Sequence, residues 1–147
     1  MQLPCYELQT TIDRLQFEFV SIGPKGPIIK RIEFTYVETL LFWNLGFGDY
    51  NPLTNRIDDQ IVSDNGDGRK VLATVAFAVQ QFLTLRPDAT VFFTGSTDQR
   101  TRVYSWAITN YWSDISANFN VEVITNSGET IPFPTQETAI GFLITTK

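Results

Sequence analysis

Alternation between apolar and polar residues marks the first part of the chain. Residues 15–21 and 28–37 alternate with a period of two, and the segment 23–27 between them reads Gly-Pro-Lys-Gly-Pro. A period of two is typical of strands with one buried face, and Gly and Pro favour turns. The two runs therefore predict a β-hairpin. Residues 6–10 predict a short strand before it.

A third extended run covers residues 40–47. Gly46, Phe47, Gly48 and Asp49 at its end predict a bulge or a sharp exit from the sheet. One more short strand is predicted at 57–62.

Helical periodicity begins in the middle of the chain. Val71, Val75 and Val79 recur every four residues and predict an amphipathic helix over 69–85, which Pro87 ends. The short apolar run 90–94 then predicts a buried strand.

A second helix is predicted from the turn at 95–99 to about residue 113, where Ser96 and Gln99 have the spacing of a capping box. Its side chains predicted to face inward are Val103, Tyr104, Ala107, Ile108 and Tyr111. Strands are predicted at 118–125 and 139–146. The proline-containing segment 131–134 is expected to be extended and incompletely paired, because proline donates no hydrogen bond.

The order of these elements indicates a single domain over 1–147, of the α/β (α+β) class. We expect a mixed, mainly antiparallel sheet with two helices in the order β-β-β-α-β-α-β-β. A strand–helix–strand crossover of this length makes a right-handed parallel unit, so one parallel pair is expected around the first helix. Twelve Phe predict an aromatic-rich core.

Composition and charge exclude several classes of function. The chain has no His, a single Cys (Cys5) and a net charge of −5. A His-based general base, a Ser-His-Asp triad and nearly all zinc sites are therefore excluded, and we expect no metal site. The acidic balance argues against nucleic acid as a partner. No apolar run approaches the roughly 20 residues of a membrane span, and residues 1–4 lack signal-peptide features, so we expect no membrane partner and a cytoplasmic location.

The glycine turn that opens the first helix is the most informative candidate site. It comprises Asn65, Gly66, Asp67, Gly68, Arg69 and Lys70. Free backbone N–H groups at the positive end of a helix dipole bind anions, and two cations in the first turn fit an anionic partner. The alternative is an ordinary helix cap, with Gly chosen for a positive φ.

A second candidate lies at the start of the second helix. Ser96, Arg100, Arg102 and Tyr104 form a basic and phenolic set there. If both glycine turns lie at the same edge of the sheet, the arginines and the cations of the first turn are expected to converge on one anion. The alternative is solvated helix-surface charge with one tyrosine in the core.

Two further groups of residues favour structural roles. The carboxylates Asp49, Asp58, Asp59 and Asp64 match no metal-binding loop and are interpreted as turn and cap residues. The aromatic residues Trp43, Trp106, Tyr111 and Trp112 are interpreted as core, with a stacking surface as the alternative.

Local signatures along the chain resemble a family of small uncharacterised proteins found mostly in Bacteroidota. They are Asn-Leu-Gly-Phe-Gly-Asp at 44–49, Ser-Asp-Asn-Gly-Asp at 63–67 with Lys-Val-Leu-Ala-Thr-Val at 70–75, and Gly-Ser-Thr at 95–97 with Arg-Thr-Arg-Val-Tyr at 100–104. The resemblance covers about three quarters of the chain and implies no function.

The order of elements is similar to the later two thirds of the general N-acetyltransferase superfamily. In that superfamily, the glycine turn before the first of these helices holds the pyrophosphate of coenzyme A. The superfamily's loop reads Arg/Gln-x-x-Gly-x-Gly/Ala, of which Gly66 and Gly68 match while Ser63 stands in the place of Arg or Gln. Asp64 and Asp67 add negative charge that repels a pyrophosphate. The resemblance implies acetyl-coenzyme A as a ligand.

Two functions follow as hypotheses. The first is a non-enzymatic domain that binds a protein partner or itself, which clustered exposed aromatic residues would support. The alternative is an acyltransferase-like enzyme or a nucleotide or coenzyme A binder that uses residues 65–70, with Tyr104 as the candidate acid by position alone. A gap between the strand before the first helix and the strand 90–94 would favour the alternative.

Overall fold

A single mixed sheet with helices on one side carries the fold. The computed structural model describes residues 4–58 and 65–147, so most of the predicted strand 57–62 and the candidates Asp59, Ser63 and Asp64 lie outside the described residues. The elements are β1 (Gln9–Thr10), β2 (Gln16–Gly23), β3 (Gly26–Val37), β4 (Phe42–Asn51), β5 (Arg56–Asp58), α1 (Gly68–Leu85), β6 (Val91–Phe93), α2 (Asp98–Asn110), α3 (Trp112–Asn118), β7 (Phe119–Thr125), β8 (Thr130–Pro132) and β9 (Ala139–Thr146).

The strand order confirms a mixed and mainly antiparallel sheet. The order is β1-β2-β3-β4-β6-β9-β7-β8, and β5 pairs with β4. The parallel neighbours are β4 and β6, with Trp43 opposite Val91 and Asn44 opposite Phe92. The chain between these two strands contains α1, so the expected parallel pair is confirmed around the first helix.

The predicted hairpin is confirmed as β2–β3, with Phe17 opposite Ile32. Its turn is shorter than the predicted segment 23–27. Pairing extends to Gly23 opposite Gly26, where Gly26 adopts a φ of 83°. The predicted bulge or sharp exit from the sheet at 46–49 is wrong, since residues 42–49 of β4 pair with β3 in continuous register and β4 runs on to Asn51. Gly48 instead allows a close approach of β5, because a Cβ there would lie 2.7 Å from Ile57 Cγ2 and 2.9 Å from the Asp58 carbonyl oxygen.

The helices lie on one face of the sheet. In α1, Phe82 stacks on Phe34 with ring centroids 4.1 Å apart. Tyr104 of α2 packs edge-on against Phe93 of β6, and Trp112 of α3 contacts Phe133. The register places these sheet residues on the same side, so the described part of the chain forms a two-layer α+β domain.

The core between the layers is rich in aromatic residues, as predicted. Its largest fully buried side chains are those of Phe17, Phe19, Phe82 and Phe142. Phe142 stacks on Phe93 at 4.9 Å, which continues the aromatic layer from β6 to β9.

The predicted second helix is two helices, α2 and α3, which meet at Tyr111. The residues before the break, Ile108, Thr109 and Asn110, have weak helix propensity. The N-cap of α2 is Thr97, whose side chain accepts a hydrogen bond from the Arg100 N–H, so the predicted pairing of Ser96 with Gln99 is wrong by one position.

Candidate functional site

The glycine turn at 65–70 joins the start of α1 to the β2–β3 hairpin. Asn65 is 2% exposed, and its Oδ1 accepts a hydrogen bond from the Lys25 N–H at 2.7 Å. Its Nδ2 donates to the Gly26 carbonyl at 2.8 Å and to Ser21 Oγ at 3.2 Å. The side chain of Asn65 therefore links the segment before α1 to the turn of the β2–β3 hairpin by hydrogen bonds.

Asp67 is the N-cap residue of α1, but its carboxylate does not cap the helix. It accepts hydrogen bonds from Ser21 Oγ at 2.5 Å and from Tyr6 Oη at 2.6 Å. Burial acts to raise the pKa of the Asp67 carboxyl, but the bonds from Ser21 and Tyr6 outweigh it and the pKa is lowered. The carboxylate is thus held in its charged form near the positive end of the helix dipole.

Tyr6 binds the N-terminal segment to the start of α1. Its N–H donates to Thr74 Oγ1 at 2.8 Å, and its ring stacks on Phe19 at 5.5 Å. Its hydroxyl also accepts a bond from the Ile22 N–H at 3.1 Å. Burial, together with the bond to Asp67, raises the pKa of the Tyr6 phenol, which therefore stays protonated as a donor.

A buried ion pair lies on the same face of the sheet. Lys30 Nζ pairs with the carboxylate of Asp49, and the two side chains are 6% and 16% exposed. The charge of Lys30 also contributes to lowering the pKa of Asp67. We call the six residues Tyr6, Ser21, Lys30, Asp49, Asn65 and Asp67 the α1 junction.

The sequence contained one signal for this site that the prediction did not use. Lys30 occupies an apolar-facing position of β3, in phase with Ile28 and Ile32. A charged residue at such a position must be paired when it is buried. The partner, Asp49, is adjacent across the β3–β4 ladder.

Hydrogen bonds within the protein occupy the polar groups of the α1 junction. Among the described residues, no buried side-chain nitrogen or oxygen lacks a partner. Gly66 has a φ of 74°, so glycine is required there for the turn, as the helix-cap interpretation expects. Gly68 has open space around its Cα.

The four cations predicted to share one anion are not brought together. The Arg69 guanidinium lies 5.6 Å from the ring centroid of Tyr111, and Lys70 Nζ lies 4.3 Å from that of Tyr6. Tyr111 ends α2, whereas Arg100 and Arg102 lie near its start. At a rise of about 1.5 Å per residue, they are about 13.5–16.5 Å from Tyr111 along the helix axis.

At the start of α2, the Arg100 guanidinium donates to Ser96 Oγ, and Arg102 is exposed. Tyr104 packs its ring on Phe93 at 5.7 Å. Burial raises the pKa of the Tyr104 phenol against the opposing charge of Arg100. A raised pKa makes this phenol a weaker acid.

The outward face of α2 carries an apolar patch that the sequence analysis interpreted as core. Trp106 is 62% exposed and Val103 is 53% exposed, so both predictions of burial are wrong. Gln99 and Asn110 extend the same face and are also exposed. We call Gln99, Val103, Trp106 and Asn110 the α2 stripe.

The inward face of α2 explains why Trp106 points outward. The buried residues of the helix are the small or branched Thr101, Ala107 and Ile108. Of the other aromatic candidates, Trp43 packs on Phe82 with centroids 5.2 Å apart, consistent with a place in the core.

The surface of the described residues offers little enclosure for a small ligand. One open hollow is lined by Asn51, Thr54, Arg56, Ile57 and Asp58, and a second lies between the turn at 11–15 and residues 33–35 of β3. Neither is lined by a residue of the predicted anion site. Across residues 4–58 and 65–147, no group of three His, Cys, Asp or Glu side chains is placed to hold a metal, and no helix is long and apolar enough to cross a membrane.

Comparison with known proteins gives one match. The model of a family of unknown function (DUF6934) matches residues 2–147, in agreement with the resemblance to a family of uncharacterised proteins. No curated protein and no solved structure matches the chain. The likeness to N-acetyltransferases stays a prediction.

Proposed function

Because the chain belongs to the DUF6934 family, whose function is unknown, we propose its function from its own surface: it is a protein-interaction domain that binds through the α2 stripe. One observation carries the proposal, namely the 62% exposure of Trp106 beside the 53% exposure of Val103. Tryptophan is enriched among the few residues that supply most of the energy of protein interfaces. An exposed Trp next to an exposed Val is therefore an anchor that a partner can bury.

The setting of α2 suits a binding surface. The helix is held from behind by the buried residues Ala107 and Ile108 and by the contact of Tyr104 with Phe93. A side chain on a fixed helix loses less conformational entropy on binding than one on a loop. Exposed Arg102, four residues before Trp106, adds a second residue type that is common in binding hot spots.

The partner is proposed to be a protein rather than a nucleic acid or a membrane, and the location to be the cytoplasm. The net charge of −5 opposes binding to phosphate backbones and to anionic lipids. The exposed free thiol of Cys5 is compatible with a reducing compartment.

Site-specific photocrosslinking tests the proposal. We expect p-benzoylphenylalanine in place of exposed Gln99, at the end of the α2 stripe that leaves Val103 and Trp106 intact, to give a discrete protein adduct on irradiation in the cells from which the chain comes. The same probe in place of Leu53, which is 95% exposed, is the matched control and should give none. A probe at 99 that gives no adduct, or the same adducts as the probe at 53, contradicts the proposal.

One observation favours the alternative, a coenzyme A or nucleotide binder. Strands β4 and β6 pair at only two positions, and residues 45–48 of β4 then pair with β3 alone among the described strands. A gap between the strand before the first helix and the strand 90–94 is the feature expected of an acyltransferase-like site, and the opening between β4 and β6 is of that kind. Asp67 weighs against it, because its charged carboxylate is held at the point where a pyrophosphate would approach.

A thermal-shift titration with acetyl-coenzyme A, coenzyme A, ATP and phosphate tests this alternative. A ligand of the folded state at about a hundredfold excess over its dissociation constant raises stability by about 2.7 kcal/mol, a shift of a few degrees. Gly68→Leu should remove that shift by placing a bulky side chain at the proposed binding turn, whereas Gly68→Ala should keep it, since a Cβ at this position meets no atom within 4 Å. A flat response to all four compounds contradicts the alternative.

A further inference from the structure

We propose that the partner of the α2 stripe is a second copy of this chain, docked with the two α2 helices antiparallel about a twofold axis. This inference rests on the proposed function and specifies its partner. The order, spacing and charge of the exposed residues on α2 support a second copy as the partner.

The α2 stripe has the spacing of a helix–helix seam. Its members are separated by four, three and four residues, and all four are exposed. Spacings of three and four keep a set of side chains facing one neighbouring helix. A linear row of side chains is not required for contact with a globular surface, but it is what packing against a second helix requires.

The order of side chains along the stripe is palindromic. It runs from an amide, Gln99, through the apolar Val103 and Trp106 to a second amide, Asn110. An antiparallel copy with the axis between Val103 and Trp106 therefore places Val103 against Trp106 of the second copy and Gln99 against Asn110 of the second copy. Apolar groups meet apolar groups, and each amide meets a group that both donates and accepts hydrogen bonds.

Size and charge also match in this arrangement. The large Trp106 lies beside a small Val103 rather than beside another tryptophan, which is the large-to-small alternation that packs without voids. On the flank of the stripe, exposed Arg102 lies nearer along the axis to exposed Thr109 of the second copy, about 3 Å away, than to Arg102 of the second copy, about 7.5 Å away. Isologous contacts of this kind close on themselves and give a dimer rather than a filament.

The seam is short, so the dimer is expected to be weak. The 13 residues of α2 span about 20 Å, and a stable interface buries roughly 1,200–2,000 Å² in total. Each copy also carries a net charge of −5, and added salt should screen that repulsion and tighten the dimer.

Sedimentation velocity from low-micromolar to millimolar protein tests the proposal. We expect the average mass to rise with concentration from 16.7 kDa toward twice that value. Trp106→Ala should weaken dimerisation at least tenfold, whereas Leu53→Ala, at an apolar site that is even more exposed, should leave it unchanged. A chain that stays monomeric throughout, or a dimer that Trp106→Ala leaves intact, overturns the inference.

Disulfide trapping tests the antiparallel direction. In a Cys5→Ser background, a mixture of Gln99→Cys and Asn110→Cys chains should oxidise mainly to the mixed dimer. Equal formation of the two homodimers would overturn the antiparallel arrangement.

The photocrosslink at 99 separates this inference from the proposed function. An adduct of twice the chain mass supports both. An adduct with a different protein overturns the second copy but leaves the interaction function standing, and no adduct overturns both.

Discussion

Replacing Asn65 by alanine tests whether the α1 junction holds the hairpin to α1. The substitution removes the acceptor of the Lys25 N–H and the donor to both the Gly26 carbonyl and Ser21 Oγ. Because Asn65 is only 2% exposed, its removal also leaves polar groups facing a site that excludes most water.

The three bonds set the size of the effect. A net hydrogen bond contributes about 0.5–1.5 kcal/mol, and a buried group left without a partner costs about 1–3 kcal/mol. Lys25 is exposed, so water can bond to its N–H after the substitution. The cost of losing this hydrogen bond therefore falls at the low end of the range. We therefore expect Asn65→Ala to lower the free energy of unfolding by about 2–4 kcal/mol.

Urea unfolding followed by tryptophan fluorescence measures this difference, with the slope against urea as a check for two-state behaviour. Asn120→Ala is the control, since this exposed Asn donates one side-chain bond to the Thr146 carbonyl and should change stability by less than about 1 kcal/mol. Asn65→Asp keeps the shape but removes the Nδ2 donor, and should cost as much as alanine. A stability of Asn65→Ala within about 0.5 kcal/mol of the unmodified chain would refute the assigned role.

Further substitutions test the junction and the turn around it. Gly23→Ala should destabilise the fold by about 3 kcal/mol or more, because the added Cβ would overlap the backbone carbonyl of Asn65. Gly68→Ala, in the open first turn of α1, should stabilise it by about 0.5–1 kcal/mol. Urea unfolding of both variants measures the two changes. Lys30→Ala should cost about 3–5 kcal/mol in the same assay by leaving Asp49 as an unpaired, mostly buried charge, and recovery in Lys30→Met combined with Asp49→Leu would show that the loss came from that charge. The pKa of Asp67 is lower in the folded than in the unfolded chain, so its stabilisation is present above about pH 4 and disappears as the pH falls through the folded pKa. The free energy of unfolding, measured from pH 7 to 3, should therefore fall more steeply in the unmodified chain than in Asp67→Asn. Equal slopes would contradict this.

Local pattern was sufficient for elements whose partners are near in sequence. The β2–β3 hairpin, the helix ending before Pro87 and the strand β9 were predicted close to their observed bounds, because alternation, helical spacing and turn residues are all local signals. The order of strands was not predicted, since pairing of β6 with β9 depends on contacts about 50 residues apart. The break at Tyr111 was missed because neither Pro nor Gly marks it.

In the candidate site, too, the local features were predicted and the long-range contacts were not. The glycine turn and the start of α1 were located correctly, but the partners of Asp67 were not, because Ser21 and Tyr6 are 46 and 61 residues away along the chain. A sequence pattern shows that a carboxylate precedes a helix, and only the fold shows what binds it. The inward position of Lys30 was visible in the alternation of β3, and it was the one local sign of a buried charge.

The two candidate surfaces differ in what they require from outside the chain. The α1 junction places polar groups in the interior, and among the described residues hydrogen bonds within the protein satisfy the buried side-chain nitrogens and oxygens. The α2 stripe does the reverse, since Trp106 and Val103 leave apolar area in water that the fold itself does not cover. Burial of that area by a second molecule is favourable, and the palindromic order of the stripe is the reason for proposing an identical chain as the partner. We therefore propose that the glycine turn serves the stability of the fold and that α2 carries its function.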